Sequence, residues 1–120
     1  MDTFSEHKNI HTPKRSELPL CPVETCVQLI GSKWRLLIMR DLLMNDSMRF
    51  GALQRSVGKI SQKVLTSNLR DMEEAGLVIR RVYPEVPPRV EYSLTETGRS
   101  LKPIIDAMWA WGEDYQAKAK

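Results

Sequence analysis

The chain has 120 residues, 42% of them hydrophobic and 28% charged, with a formal net charge of +3. That length carries one domain with a real core and leaves no room for two. No apolar run approaches the ~20 residues of a membrane helix, and the N-terminus lacks the apolar stretch of a secretory leader, so a cytoplasmic protein without membrane attachment is expected.

Residues 1–20 show no periodicity and hold two prolines, which reads as a mobile tail. Residues 21–118 read as the folded domain. Cys21-Pro22 opens a first helix, since proline suits the first helical position. Val23, Cys26, Val27 and Ile30 give it an inward face, and Gly31 ends it. Ser32 is the N-cap of a second helix, KWRLLIMRDLLM, apolar enough to be the central core helix. A turn at Asn45-Asp46-Ser47 leads to a third helix over Arg49 to Val57, with Phe50, Leu53 and Val57 inward. After a sharp turn at Gly58-Lys59, Ser61 caps a fourth helix that Gly76 closes.

The fourth helix has two unlike sides. Ile60, Val64, Leu65, Leu69, Met72 and Leu77 recur near the helical period and read as its core face. Gln62, Lys63, Thr66, Ser67 and Arg70 fall opposite. Gln62 suits bidentate pairing with adenine, and Lys63 or Arg70 with guanine. A helix of this kind, braced by a shorter one, is how proteins carry side chains into the major groove. A solvated face, an Arg70 ion pair with Glu73 or Glu74, and Thr66 or Ser67 bonding back to helix carbonyls are the plainer alternatives. Charge favours the nucleic-acid reading. From Lys33 to Arg70 there are eight basic and two acidic residues, a local +6, so the remainder is −3.

Next comes a hairpin. Val78 to Tyr83 and Arg89 to Leu94 are β-rich and flank Pro84-Glu85-Val86-Pro87-Pro88. Arg89 is the wing residue expected at the DNA backbone or minor groove. Arg80 and Arg81 point to opposite faces of their strand, so one can face DNA while the other can pair with Glu91. Arg49 and Ser61, each at the start of a helix, are candidate phosphate contacts. Thr95 then caps a long final helix from Glu96 to about Lys118. Its stripe of Leu101, Ile104, Ile105, Met108, Trp109, Trp111 and Tyr115 exceeds what one small domain buries. Leu101, Ile104, Met108, Trp109 and Trp111 are therefore expected at a dimer interface, helped by the first helix. The element order is that of a winged helix-turn-helix domain: mainly α, with a small β-hairpin wing, DNA-binding and dimeric.

The chain also resembles the HxlR-type winged-helix transcription regulators, relatives of the MarR-like repressors. The segments that carry the likeness are CPVETCVQLIGSKWRLLIMRDLL (21–43), RFGALQRSVGKISQKVLTSNLRDMEEAGLVIRR (49–81) and VEYSLTETGRSLKPIIDAMWAW (90–111). It departs in the turn, where Val57-Gly58-Lys59 replaces the usual Ile-Pro-Gly type sequence. The resemblance implies a cytoplasmic homodimer that binds a pseudo-palindromic double-stranded operator, a repressor more readily than an activator, with no catalytic activity and no cofactor. Some family members sense oxidants or electrophiles through a cysteine placed as Cys21 is.

The residues of Cys21 agree with that role, because a helix N-terminus favours the reactive thiolate. Cys26, on the first helix's apolar face, reads as a small buried hydrophobe. The two are too far apart along a helix for a mutual disulfide, ~7.5 Å in rise and ~140° in angle. His7-x-x-x-His11 has metal-ligand spacing but lies in the tail, so no metal site is expected. A Gly-rich phosphate loop and a Ser/His/Asp set are both missing from the sequence, which excludes the common enzyme classes. The alternative to a DNA-binding regulator is a winged-helix adaptor that binds a protein partner.

Overall fold

The computed structural model describes residues 18–119. His7, His11 and all but the last three residues of the expected tail lie outside them. The element order is α1 (Pro22–Ile30), α2 (Lys33–Met44), β1 (Met48–Arg49), α3 (Phe50–Val57), α4 (Gln62–Glu74), β2 (Val78–Tyr83), β3 (Arg89–Leu94), α5 (Glu96–Arg99) and α6 (Lys102–Ala119). The strands form an antiparallel sheet in the order β1-β3-β2.

The caps follow the sequence. The Ser32 and Ser61 hydroxyls accept from the backbone N–H groups of Arg35 and Val64, at 3.3 and 3.1 Å. Each satisfies a first-turn donor that has no helical partner. Thr95 does the same for Gly98 and also donates its hydroxyl to the Gly76 carbonyl. Gly98 must be glycine for a separate reason: a Cβ there would lie 2.3 Å from the Leu77 carbonyl oxygen. That close approach seats α5 against the junction between α4 and β2.

The core lies between α2, α3, α4 and the inner face of the sheet. Ile38, Met39 and Leu42 from α2 meet Leu53 from α3, Leu65, Leu69 and Met72 from α4, and Leu77, Val78, Tyr92 and Leu94. The Phe50 and Tyr92 rings, 6.4 Å apart and tilted, join α3 to β3. Helix, turn, helix and two-stranded wing are thus held as one unit, a winged helix-turn-helix with a third, short strand.

Four expectations need correction. Arg49 does not begin the third helix. Met48 and Arg49 are extended and pair with Tyr92 and Glu91, and α3 starts at Phe50. A two-residue strand has no period to read, so only its partner reveals it. The final helix is not continuous either. It breaks at Ser100–Leu101, where Pro103 has no N–H to carry the ladder across and its ring crowds the preceding turn. Val64 is exposed rather than inward, because Leu65, Leu69 and Met72 set the buried direction and Val64 sits ~100° away. On α1 only Ile30 is buried. Val23 and Val27 face outward, Val27 at 58% exposure, and Cys26 is half-buried.

Candidate nucleic-acid interface

On α4, the side opposite Leu65, Leu69 and Met72 carries Gln62, Lys63, Ser67 and Arg70, all exposed, and a half-buried Thr66. The amphipathic pattern therefore gives the orientation correctly, with the polar set on the solvent side. Among the described residues neither Thr66 nor Ser67 makes a side-chain hydrogen bond. Asn68 is the side chain on this helix that returns to a carbonyl, that of Val64, at 2.8 Å.

Gln62, Thr66 and Arg70 form one wall of a cleft of about 540 Å³ between α4 and the wing. Phe50, Leu69, Val90 and Tyr92 line its apolar parts, and Glu73 and Arg80 its charged ones. Strand alternation explains Arg80. It is the register partner of Tyr92, so both project toward α4. The sequence left Arg80 and Arg81 undecided, and the register assigns Arg80 to the cleft.

Arg49, Arg81 and Arg89 belong to the other face. Arg49 and Arg81 are the register partners of Glu91 on its two sides. Arg89 is held there by its neighbours. Its guanidinium donates to Glu85 from Nε and Nη2, at 3.1 and 2.9 Å, and from Nη1 to Glu91. It also stacks on the Tyr83 ring, 3.8 Å from the centroid. The bonds to Glu85 and then Glu91 raise the arginine further, and the bond from Arg89, followed by that from Ser47, holds the Glu91 carboxyl below its ordinary value. The wing's most prominent cation in the sequence is thus neutralised by two carboxylates. Arg81 stands opposite Glu91, one of the two placements the sequence left open, but Glu91 accepts its hydrogen bonds from Arg89 and Ser47.

Pairing also trims the basic segment. Arg40 binds its neighbour Asp41 through two hydrogen bonds, at 2.7 and 3.2 Å. Arg35 is only 7% exposed and binds Asp71 at 3.1 Å. Burial pushes the Asp71 carboxyl above its ordinary value, and the charge and hydrogen bond of Arg35, then the charge of Arg70, oppose that. Lys33, Arg49, Arg55, Lys59, Lys63 and Arg70 remain exposed. Four of these, Arg55 to Arg70, lie along α3, the turn and α4.

The turn that sets α4 against α3 depends on Gly58. Its φ of +92° and ψ of 172° lie in a region that only glycine occupies readily. The Gln54 side chain closes the same turn by donating to the Ile60 carbonyl at 3.0 Å.

Cys21 is the N-cap residue of α1 and is exposed, and its thiol makes no capping bond. On α6 only Ile105 is buried, and Leu101, in the break before it, is half-buried. Ile104, Met108, Trp109, Trp111 and Tyr115 are exposed, Trp111 at 69%. Trp111 and Tyr115 stack with centroids 5.1 Å apart. Among the described residues no His, Cys, Asp and Glu group has metal-site geometry, and no helix is long and apolar enough to cross a membrane.

Residues 29–120 match the HxlR-like helix-turn-helix family. The chain belongs to that family. An uncharacterised HTH-type transcriptional regulator of Methanothermobacter thermautotrophicus is 50% identical over 96 residues, 80% of this chain and 72% of that protein. The Bacillus subtilis regulator YdeP is 46% identical over 96 residues, 80% and 74% of the two chains. Among solved structures, the redox regulator HypR in its oxidised form superposes with a TM-score of 0.74 at 45% identity, over 78% of this chain and 96% of that one. Diamide-treated YodB of B. subtilis gives 0.65 at 36% identity, over 80% and 95%. This HxlR-like chain is therefore a helix-turn-helix transcriptional regulator of the MarR-like kind and not an enzyme. The family match begins at residue 29, so Cys21 and most of α1 lie before it.

Proposed function

We propose that the protein is a cytoplasmic homodimer that reads a pseudo-palindromic operator through α4 and represses nearby genes, with residues 21–118 as its working domain. The observation that carries this reading is the polar face of α4. Gln62, Lys63, Thr66, Ser67 and Arg70 are directed away from the core, the two hydroxyls are unused, and three of the five side chains border the cleft to the wing. In this reading Gln62, Lys63 and Arg70 bond base edges, while Thr66 and Ser67 pack against thymine methyls or bond phosphates. Arg49 and Ser61 contact the sugar-phosphate backbone. Arg80 takes the main wing contact. Arg89 contributes less, since a phosphate must compete with Glu85 and Glu91 for it.

The dimer is supported by the exposed apolar side chains of α6 and of α1. Leu101, Ile104, Met108, Trp109 and Trp111 form its interface, and a two-fold molecule presents two α4 helices to half-sites one helical turn apart. Cys21, exposed at the start of α1, is the candidate sensor of oxidants or electrophiles. Support comes from its placement and from the likeness to HypR and YodB. Diamide or quinone should release operator from the wild type and not from Cys21→Ser. Equal release from both would remove Cys21 from the mechanism.

The experiment for the DNA assignment replaces Gln62 and Thr66 with alanine. Specific operator binding should fall to the non-specific level while the circular dichroism spectrum and Tm stay those of the wild type. Specific binding that survives would refute the groove assignment, whereas a wild type whose DNA binding is weak and independent of sequence would favour the adaptor reading.

A further inference from the structure

We infer that Arg35 is a positioning residue: it ties the orientation of α4 to the position of α1, so that whatever moves α1 changes how the protein grips DNA. The inference rests on the reading of α4 as the DNA-binding helix.

The geometry is that of a strut. From its place in the first turn of α2, Arg35 donates Nη1 to the Leu29 carbonyl at 2.9 Å and to the Gln28 carbonyl at 3.3 Å. Nη2 donates to Asp71 Oδ2 at 3.1 Å. The last turn of any helix leaves four carbonyls without helical partners. On α1, Gly31 N–H takes that of Val27 and Ser32 N–H that of Ile30. The remaining two, Gln28 and Leu29, are the pair that Arg35 holds. The planar guanidinium has donors enough for both ends, and its charge suits the negative end of a helix. Asp71 is itself buried, and α1 and α4 share little direct packing beyond the core around Ile30, so Arg35 is the polar link between them.

Asp71 lies five residues from Thr66, so the two project ~140° apart around α4. The cleft borders one flank of α4 and the strut holds the other. A pull on Asp71 therefore turns the helix about its axis and shifts Gln62, Thr66 and Arg70 together. At the far end, α1 is nine residues long, a rigid rod of ~13 Å. It carries Cys21 at its start and the outward Val23 and Val27 along its length. Chemistry at the thiol acts on one end of this rod, and seating of a second copy against those valines acts along it. Arg35 grips the other.

The test attaches a bulky maleimide to Cys21 in a Cys26→Ser background. Binding is measured to a duplex that the unlabelled protein selects from a random-sequence library. The same labelling is done in Arg35→Met/Asp71→Leu, which removes both buried charges at once and so avoids stranding either. Labelling should weaken operator binding at least tenfold with the strut intact and less than twofold without it. Equal weakening in both proteins, or none in the first, would overturn the inference. If the double variant loses its helical circular dichroism signal, Arg35→Lys replaces it. Its single ammonium spans the carbonyls and the carboxylate less well, so the labelling effect should drop to about threefold, and a full tenfold effect would overturn the strut. A library that yields no preferred sequence overturns the DNA-reading assignment and this inference with it. A preferred sequence with equal weakening overturns the strut alone.

Discussion

Single residues decide how α4 is held against the rest of the domain. Gly58, at φ +92° and ψ 172°, has open space around its missing Cβ, so any cost of substitution is conformational. Gly58→Ala should lower unfolding free energy by about 1–3 kcal/mol, read by urea denaturation with an unchanged m-value. No loss would mean that the turn has another conformation. The Arg89–Glu91 contact makes a second prediction. Glu91 is held below its ordinary value, so its stabilising contribution is fully present above the unfolded-state pKa of about 4.3 and is lost as pH falls through the lower folded value. A carbon-detected NMR titration should place the Glu91 midpoint below that of an exposed glutamate, and Arg89→Ala should move it upward. The residues that make such contacts are visible in the sequence, but their pairings are not. Arg89 looks like a free wing cation until Glu85, Glu91 and Tyr83 close around it. Arg35 looks like one more charge in a basic run until Asp71, 36 positions later, folds against it.

Elements were legible in proportion to their length and period. The amphipathic pattern and the Ser61 cap locate α4, because buried side chains must repeat with the element's own geometry; a long apolar run behind Ser32 locates α2, and β-rich composition locates both long strands. The two-residue β1 and the break between α5 and α6 have no repeat to read. The valines of α1 mislead for another reason: periodicity shows that a face is apolar and does not say whether the chain itself covers it. Register then does what composition cannot for the wing, placing Arg80 toward α4 and Arg49, Arg81 and Arg89 on the other face. This separates the arginines experimentally. Each phosphate contact contributes ~0.9 to the slope of log K against log salt. Arg80→Ala should reduce that slope by nearly one per subunit, whereas Arg89→Ala should change it by much less. Equal reductions would mean that phosphate displaces Glu85 and Glu91 from Arg89.

For the whole molecule, the family is shown by the match over residues 29–120, and the exposed faces of α1 and α6 supply the reason to expect a second copy. Trp109→Ser/Trp111→Ser should sediment as a monomer at concentrations where the wild type is a dimer. The variant should also lose operator affinity steeply, because a single α4 reaches one half-site. A dimer of unchanged affinity would place the interface elsewhere. The central claim is that the outer face of α4 chooses DNA sequence. It is tested most directly by measuring wild type and Gln62→Ala against an operator substituted one base pair at a time. Discrimination should vanish at one base pair per half-site, a loss of about 1–3 kcal/mol, and persist at the others. Uniform weakening at every position, with discrimination intact, would contradict it.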